Sequence, residues 1–181
     1  MPAAMKTYLT YGFYMAIGSA LVIFALYFLG YHEDAAKLGT AQLVQSITGL
    51  AIGITCVVLG TKERRAAVPP TEDFGYGRAL GAAFMIVLFA SLMGVAFNLV
   101  YTTVINPGFT EVVLRSQADK LEAQGLSSDK VEQITTMTRK MMHPAVQSAM
   151  GFLAGLFFGT LVALVTAAFL KRPATDELVA T

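Results

Sequence analysis

The stretch MMHPAVQSAMGFLAGLFFGTLVALVTAAFL, residues 141–170, decides the fold that we predict for this chain. It has no Asp, Glu, Lys or Arg, and it is longer than the roughly 20 apolar residues that cross the hydrocarbon core of a bilayer. Three more runs without these side chains occupy residues 7–31, 38–61 and 79–110. Because lipid offers the backbone no hydrogen-bond partners, each run is predicted to form a membrane-spanning helix.

The composition also favours a membrane location. Of the 181 residues, 55% are hydrophobic and 14% are charged, whereas a soluble domain has about 25% charged residues to cover its surface. Buried helices of a soluble core are the alternative, but four runs of this length exceed what one small core covers. A cleaved signal peptide is disfavoured for the first run, because its apolar part exceeds the usual length of about 7–15 residues and no A-x-A site follows.

We therefore predict an all-α integral membrane protein, a four-helix bundle that forms one domain over residues 1–181. The predicted spans cover about residues 8–30, 41–61, 78–102 and 144–170. Pro107 is expected to end the third span, because proline has no N–H to donate to a helix. Amphipathic patterns then predict a helical hairpin inserted over about residues 107–143, with Gly125 as the cap of its first helix.

The distribution of Lys and Arg predicts the orientation in the membrane. Seven of these side chains lie on the side that holds both termini, and six lie on the other side. Five of the six belong to the inserted segment, which is long and balanced by acidic residues and therefore weighs less. We expect both termini in the cytoplasm and the inserted hairpin outside it, although Arg139 and Lys140 beside span four oppose this orientation. Five tyrosines near the span ends are expected to lie at the membrane interface: Tyr8, Tyr11, Tyr31, Tyr76 and Tyr101.

Two pairs of spans share sequence patterns. Residues 44–53 in span two and 146–155 in span four both read V-Q-S-x-x-G-x-x-x-G, and Tyr-Gly recurs at residues 11–12 and 76–77. The two offsets differ by roughly the length of the inserted segment. We predict two pseudo-repeated helical hairpins, related by an axis along the membrane normal because each has an even number of spans. Chance similarity between two glycine-rich helices is the alternative.

Small residues at four-residue spacing predict where the helices pack closely. Apolar surface gains little by leaving lipid for another helix, so association depends on the close backbone approach that small residues permit. The predicted packing residues are Gly49, Gly53, Gly151, Gly155, Gly159 and Ala163. Packing inside the four-helix bundle is the first interpretation, and docking of a second protomer or another protein onto span four is the second.

Three amide side chains lie within the spans, namely Gln45, Gln147 and Asn98. In lipid, each needs a hydrogen-bond partner. If the repeat holds, Gln45 and Gln147 are expected to face each other across its axis. Interhelical hydrogen bonding is the structural interpretation, and a polar collar around a small solute is the functional one.

The sequence shows no reactive constellation. An enzyme needs a nucleophile, an acid–base pair or a metal within mutual reach, and the acidic residues lie in loops. Cys56 is the only cysteine, and His32 and His143 have no metal-ligand spacing. We therefore predict no enzyme, no catalytic residue, no cofactor and no metal site. The net charge of +1 gives no reason to expect a nucleic-acid partner.

Several short motifs give the chain a resemblance to a known family. Tyr-Gly covers residues 11–12, FGYG residues 74–77, NPGF residues 106–109, GLS residues 125–127 and FLKR residues 169–172. These motifs are similar to those of the domain-of-unknown-function 4199 membrane family, which occurs mainly in Bacteroidota. The resemblance covers about residues 7–172 and implies four helices in a bacterial inner membrane. It implies no activity and no catalytic residue.

The function that we expect from the sequence is structural. An inner-membrane protein with small-residue stripes and no reactive site is expected to act as an accessory or assembly protein through helix–helix contacts. Its expected partners are the lipid bilayer and either a second copy of the chain or a larger membrane complex. The alternative is a small-solute transporter or channel built from the duplicated two-span hairpin. No ionisable residue lies at the centre of a span, which disfavours ion-coupled transport.

Overall fold

The computed structural model describes residues 3–175, which form six α-helices. In chain order they are α1 Ala3–Phe28, α2 Leu38–Ala66, α3 Tyr76–Val100, α4 Phe109–Ala123, α5 Ser128–Met141 and α6 Pro144–Leu170. A π-helical segment, Tyr101–Ile105, extends α3. Over this part of the chain there is no β-strand, and a single antiparallel bridge joins Phe74 to Arg172.

Four of these helices, α1, α2, α3 and α6, are long and apolar enough to span a membrane. The predicted all-helical fold, with four helices long and apolar enough to cross a membrane, is therefore confirmed. The helices extend beyond the predicted spans, since α1 begins at Ala3 and α2 includes the charged residues 62–65. A helix continues into the interface because it satisfies its own backbone hydrogen bonds there as well.

The two ends of the bundle have different structures, and we name them by what they carry. The insertion end holds residues 29–37 and 106–143. The terminal end holds the beginning of α1, residues 62–78 and residues 171–175. Which end faces the cytoplasm, and whether the two hairpins are repeats, stay predictions.

Helix α3 lies at the centre of the bundle and packs on α1, α2 and α6. One cluster of core side chains comprises Val57, Ala83, Ile86, Val87 and Ala163, each no more than 1% exposed. Glycines on the neighbouring helices let them approach α3 closely. A Cβ added at Gly12 would lie 2.8 Å from Cβ of Phe89, and one added at Gly60 would lie 2.5 Å from Cδ1 of Ile86. Dispersion between closely spaced backbones therefore holds the bundle together in lipid.

At the terminal end, a backbone clasp ties the loop between α2 and α3 to the end of α6. The backbone N–H groups of Phe74 and Arg172 each donate to the carbonyl of the other at 2.9 Å. The Arg172 guanidinium also donates to the carbonyls of Val68 and Pro69, at 3.0 and 2.9 Å. Two motifs that are almost 100 positions apart in the sequence, FGYG and FLKR, thus meet in one contact.

At the insertion end, α4 and α5 pack on each other. Arg139, near the end of α5, forms a two-pronged ion pair with Glu111 in the first turn of α4, so the two helices run antiparallel. Between them Gly125 has φ +79°, a conformation that favours glycine. The hydroxyl of Ser116 donates to the carbonyl of Ala35 at 3.0 Å and joins α4 to the loop between α1 and α2.

The close contact between α3 and α6 predicts a position-specific effect of side-chain size. A Cβ added at Gly159 would overlap Val87, so Gly159→Leu must push the helices apart. Overpacking of this kind costs about 1–3 kcal/mol, and we expect a lower midpoint of thermal unfolding in mild detergent. Gly151→Leu is the matched control, because a Cβ there would meet no atom within 4 Å. Equal destabilisation by both substitutions would contradict the packing described.

Candidate functional site: an intramembrane cavity and a buried polar network

A cavity of about 430 Å³ lies between α1, α3 and α6. It begins near the middle of each helix and extends toward the insertion end, from residue 15 to 24 in α1, 90 to 101 in α3 and 147 to 155 in α6. At a rise of about 1.5 Å per residue, these positions fall within the membrane. Below the cavity the core around Val87 and Ala163 closes the bundle toward the terminal end.

Glycines on α3 and α6 create the space, because glycine has no side chain. Gly94, Gly151 and Gly155 all line the cavity, together with Ala90 and Ala16. A Cβ at Gly155 would lie 3.0 Å from the hydroxyl of Ser91, whereas a Cβ at Gly94 or Gly151 would meet nothing within 4 Å. The small-residue stripe of α6 therefore has two roles, because its first part borders the cavity and its second part packs on α3.

The other predicted packing residues have different surroundings. Gly159 and Ala163 are buried against α3, and Ala163 is fully buried. On α2, Gly53 is buried, and a Cβ added there would lie 3.3 Å from the methyl of Met15. A Cβ added at Gly49 would meet no atom within 4 Å. Docking of a second protein onto span four stays a prediction.

Polar side chains lie together near the insertion-end rim of the cavity. The Asn98 amide donates to the hydroxyl of Ser148 at 3.0 Å, which joins α3 to α6. Gln147, beside Ser148, also lines the cavity. Its carbonyl oxygen, Oε1, is buried and has no hydrogen-bond partner among residues 3–175. An unmatched buried acceptor costs about 1–3 kcal/mol, so this atom is suited to accept a hydrogen bond from a bound molecule.

The two glutamines predicted to face each other lie in different places. Gln45 reaches the ring of His32 instead, with its amide nitrogen 3.1 Å from Nε2. Gln147 lies in the cavity, where α2 contributes no lining residue. Of the three predicted intramembrane amides, Gln147 and Asn98 therefore share one site and Gln45 belongs to another.

Next to the cavity lies a buried network centred on His32, which is 1% exposed. The amide nitrogen of Gln45 lies 3.1 Å from Nε2, and Nδ1 lies 2.5 Å from the hydroxyl oxygen of Tyr101, so both ring nitrogens have a hydrogen-bond partner. The amide of Asn106 donates to the same hydroxyl at 3.0 Å. The rings of Tyr101 and Phe109 pack around His32, with centroids at 5.7 and 5.2 Å from it.

Tyr101 connects this network to the cavity, because it lines the cavity and is also the first residue of the π-helical segment. Such segments occur frequently at functional sites, since the extra residue re-aims side chains. The expectation that Tyr101 lies at the membrane interface is wrong, because its side chain is 5% exposed and is enclosed by protein. The buried hydroxyl has two hydrogen-bond partners, His32 and Asn106.

The sequence contains no pattern that predicts the network around His32. The sequence suggests His32 only as a metal partner for His143. His143 lies at the start of α6, and its own Nδ1 accepts a hydrogen bond from the N–H of Ala145 at 3.4 Å. Within residues 3–175, no group of three or more side chains is arranged to hold a metal ion. Asn106, in the NPGF motif, is the member of this network that the sequence could have pointed to, because a polar residue directly after an apolar run needs a hydrogen-bond partner.

Comparisons with known proteins place the chain in one family. The model of the family described as "Protein of unknown function (DUF4199)" matches residues 10–172, which is nearly the whole chain. The match confirms the resemblance seen in the short motifs. No curated protein and no solved structure matches the chain.

The burial of His32 predicts a pH dependence of stability. Burial lowers the pKa of His32 in the folded protein, whereas unfolding returns it to an ordinary pKa of about 6.5. As the pH falls below that value, the unfolded chain binds a proton that the folded chain does not, so folding stability decreases. We expect the thermal midpoint in mild detergent to fall between pH 7.5 and pH 5.5.

The histidine at residue 143 supplies the matched control for this measurement. We expect His32→Gln to flatten the dependence of the midpoint on pH and His143→Gln to leave it as in the wild type. A slope that persists in His32→Gln would show that other groups cause it.

Proposed function

Since the chain belongs to the DUF4199 family, whose function is unknown, we propose that it is a small-solute transporter whose solute site is the cavity between α1, α3 and α6. The observation that supports the proposal most strongly is the buried Oε1 of Gln147, a residue that lines this cavity, because this atom has no hydrogen-bond partner among residues 3–175. The cavity volume of about 430 Å³ lies within the range of about 300–1,000 Å³ that ligand sites occupy.

The position of the cavity supports transport over permanent storage of a ligand. Its lining residues lie in the half of the membrane-spanning helices nearer the insertion end and extend to about their middle, which is where transporters bind their substrates. The core around Ile86 and Val87 is packed on the side of the terminal end. Packed side chains on one side of a solute site are a feature of each of the two states that alternating access requires.

The lining indicates the chemistry of the solute. No Asp, Glu, Lys, Arg or His lines the cavity, and an unpaired charge buried at this depth would be costly. The solute is therefore uncharged. It carries an O–H or N–H group for Gln147, and it has an apolar body that fits the alanines, glycines and phenylalanines of the walls.

Binding of a neutral fluorescent probe tests this assignment. 1-Aminoanthracene has an apolar body and one amine donor, and anthracene lacks the donor. We expect the wild type in mild detergent to bind the amine more tightly than empty micelles do. Gln147→Met should weaken binding of the amine about threefold to tenfold, as expected for one lost hydrogen bond, and leave anthracene unchanged.

Two further variants complete the binding test. Gly151→Leu fills the cavity and should abolish binding of both probes. Gln42→Met is the matched control, because Gln42 is an exposed glutamine of α2 outside the cavity. Binding that survives Gly151→Leu, or that Gln42→Met weakens as much as Gln147→Met, would overturn the site.

Transport itself is tested by flux of neutral solutes into proteoliposomes. The wild type is compared with a Gln147→Ala variant, and the same solutes are measured in protein-free vesicles. Flux that depends on Gln147 would support a transporter. If a solute binds but no solute class is transported, the protein is a solute-binding protein and the proposal of transport is wrong.

The accessory role expected from the sequence has its own support in α5. Met137 and Met141 lie one turn apart on this helix and are 68% and 48% exposed. Flexible methionines suit surfaces that adapt to a protein partner. Chemical crosslinking in native membranes tests this second candidate, and a monodisperse monomer with no crosslinked neighbour would count against it.

A further inference from the structure

A furrow of about 570 Å³ lies between α2 and α6, in the half of the bundle near the terminal end. Its walls are apolar apart from one lysine and one threonine. The lining residues are Ile54, Val58, Lys62, Leu161, Val162, Val165, Thr166, Phe169 and Leu170. It shares no residue with the solute cavity, so it is a separate feature of the surface.

The furrow has the shape of an acyl-chain site. Residues 54, 58 and 62 follow one face of α2 at four-residue spacing, and residues 161, 165 and 169 do the same on α6. Both helices run toward the terminal end, so each wall is about 12 Å long at 1.5 Å per residue. The furrow is therefore aligned with the helices, which is also the direction of lipid chains in a bilayer.

The outer walls are strongly exposed, since Val165 is 59% and Phe169 is 82% exposed. These side chains lie at a depth where the surrounding medium is hydrocarbon. Another membrane helix is a poor fit, because a helix with side chains is about 10 Å wide and packs closely only on small residues. A single hydrocarbon chain needs no such complementary surface.

Lys62 gives the furrow its polarity. It is the only charged lining residue, and it lies at the end of α2 that approaches the membrane surface. Lys62 forms no ion pair with a carboxylate within residues 3–175, whereas Arg78 pairs with Glu72 at 3.2 Å. Lys171 directly follows Leu170, the last lining residue of α6, and adds a second positive charge nearby.

The whole terminal end has the same sign of charge. Its described residues include seven Lys or Arg and three Asp or Glu, which gives +4. The insertion end has six basic and seven acidic side chains, which gives −1. An anionic lipid surface attracts each basic side chain near it, so negatively charged headgroups concentrate at the terminal end.

We propose that this furrow is a binding site for an anionic phospholipid, with one acyl chain between α2 and α6 and the phosphate on the ammonium of Lys62. Lys62 extends along the apolar wall and presents its charge at headgroup level. No acidic side chain lines the furrow, so nothing there holds the ammonium of a zwitterionic headgroup. The site therefore distinguishes anionic from zwitterionic phospholipids.

Native mass spectrometry of the full chain in mild detergent tests the proposal. Phosphatidylglycerol and phosphatidylcholine with identical acyl chains are added in equal amounts. We expect preferential retention of phosphatidylglycerol by the wild type. Lys62→Gln should reduce that preference about fivefold, the effect of losing one basic side chain near a phosphate. Lys62→Arg should keep it.

Two controls separate this site from general charge attraction and from misfolding. Lys130→Gln removes the same charge from α5 at the insertion end and should leave the preference unchanged. Val165→Trp fills the furrow and should reduce retention of both lipids. Equal retention of the two lipids by the wild type, or an equal loss in Lys62→Gln and Lys130→Gln, would overturn the proposal. The solute-binding test does not involve these residues, so either proposal can fail alone.

Discussion

Hydrogen bonding of the backbone within a medium that offers no partners is the constraint on which this structure depends. It makes each long apolar run a helix and leaves the side chains to determine how the helices associate. Polar side chains face the same constraint. Asn98 is paired with Ser148 across two helices, and the Tyr101 hydroxyl is held by His32 and Asn106. The carbonyl oxygen of Gln147 and the hydroxyl of Thr61 are buried without a hydrogen-bond partner among residues 3–175, and each unpaired group costs free energy, but only Gln147 lines the cavity between α1, α3 and α6.

Packing and binding use the same type of residue on one helix. On α6, Gly159 and Ala163 are covered by α3 and hold the bundle together. Gly151 continues the same stripe, but there no side chain of α1 or α3 lies within 4 Å of an added Cβ, and a cavity remains. Whether a small residue produces a contact or a void depends on the side chain opposite, which is Val87 in the first case.

The two ends of the bundle are built by different interactions. Backbone hydrogen bonds between Phe74 and Arg172 clasp the terminal end, which has a positive net charge. Aromatic packing and buried hydrogen bonds around His32 organise the insertion end, next to the cavity between α1, α3 and α6. Tyr101 belongs to both the network and the cavity wall, so one side chain connects the two features.

The sequence by itself determined the elements that depend on local composition. Charge-free runs predicted four spanning helices, because helix formation in lipid requires only apolar length. Short motifs predicted the family. The amides Gln147 and Asn98 were also identified, since a polar residue in an apolar run is visible without a structure. Only the tertiary structure decided which of these groups meet. It paired Gln45 with His32 instead of Gln147, and it enclosed Tyr101, which local pattern had assigned to the interface. The contact between His32 and Tyr101, for example, joins residues 69 positions apart. It depends on how side chains from separate segments fill the space between them, and the periodicity along one helix does not record this.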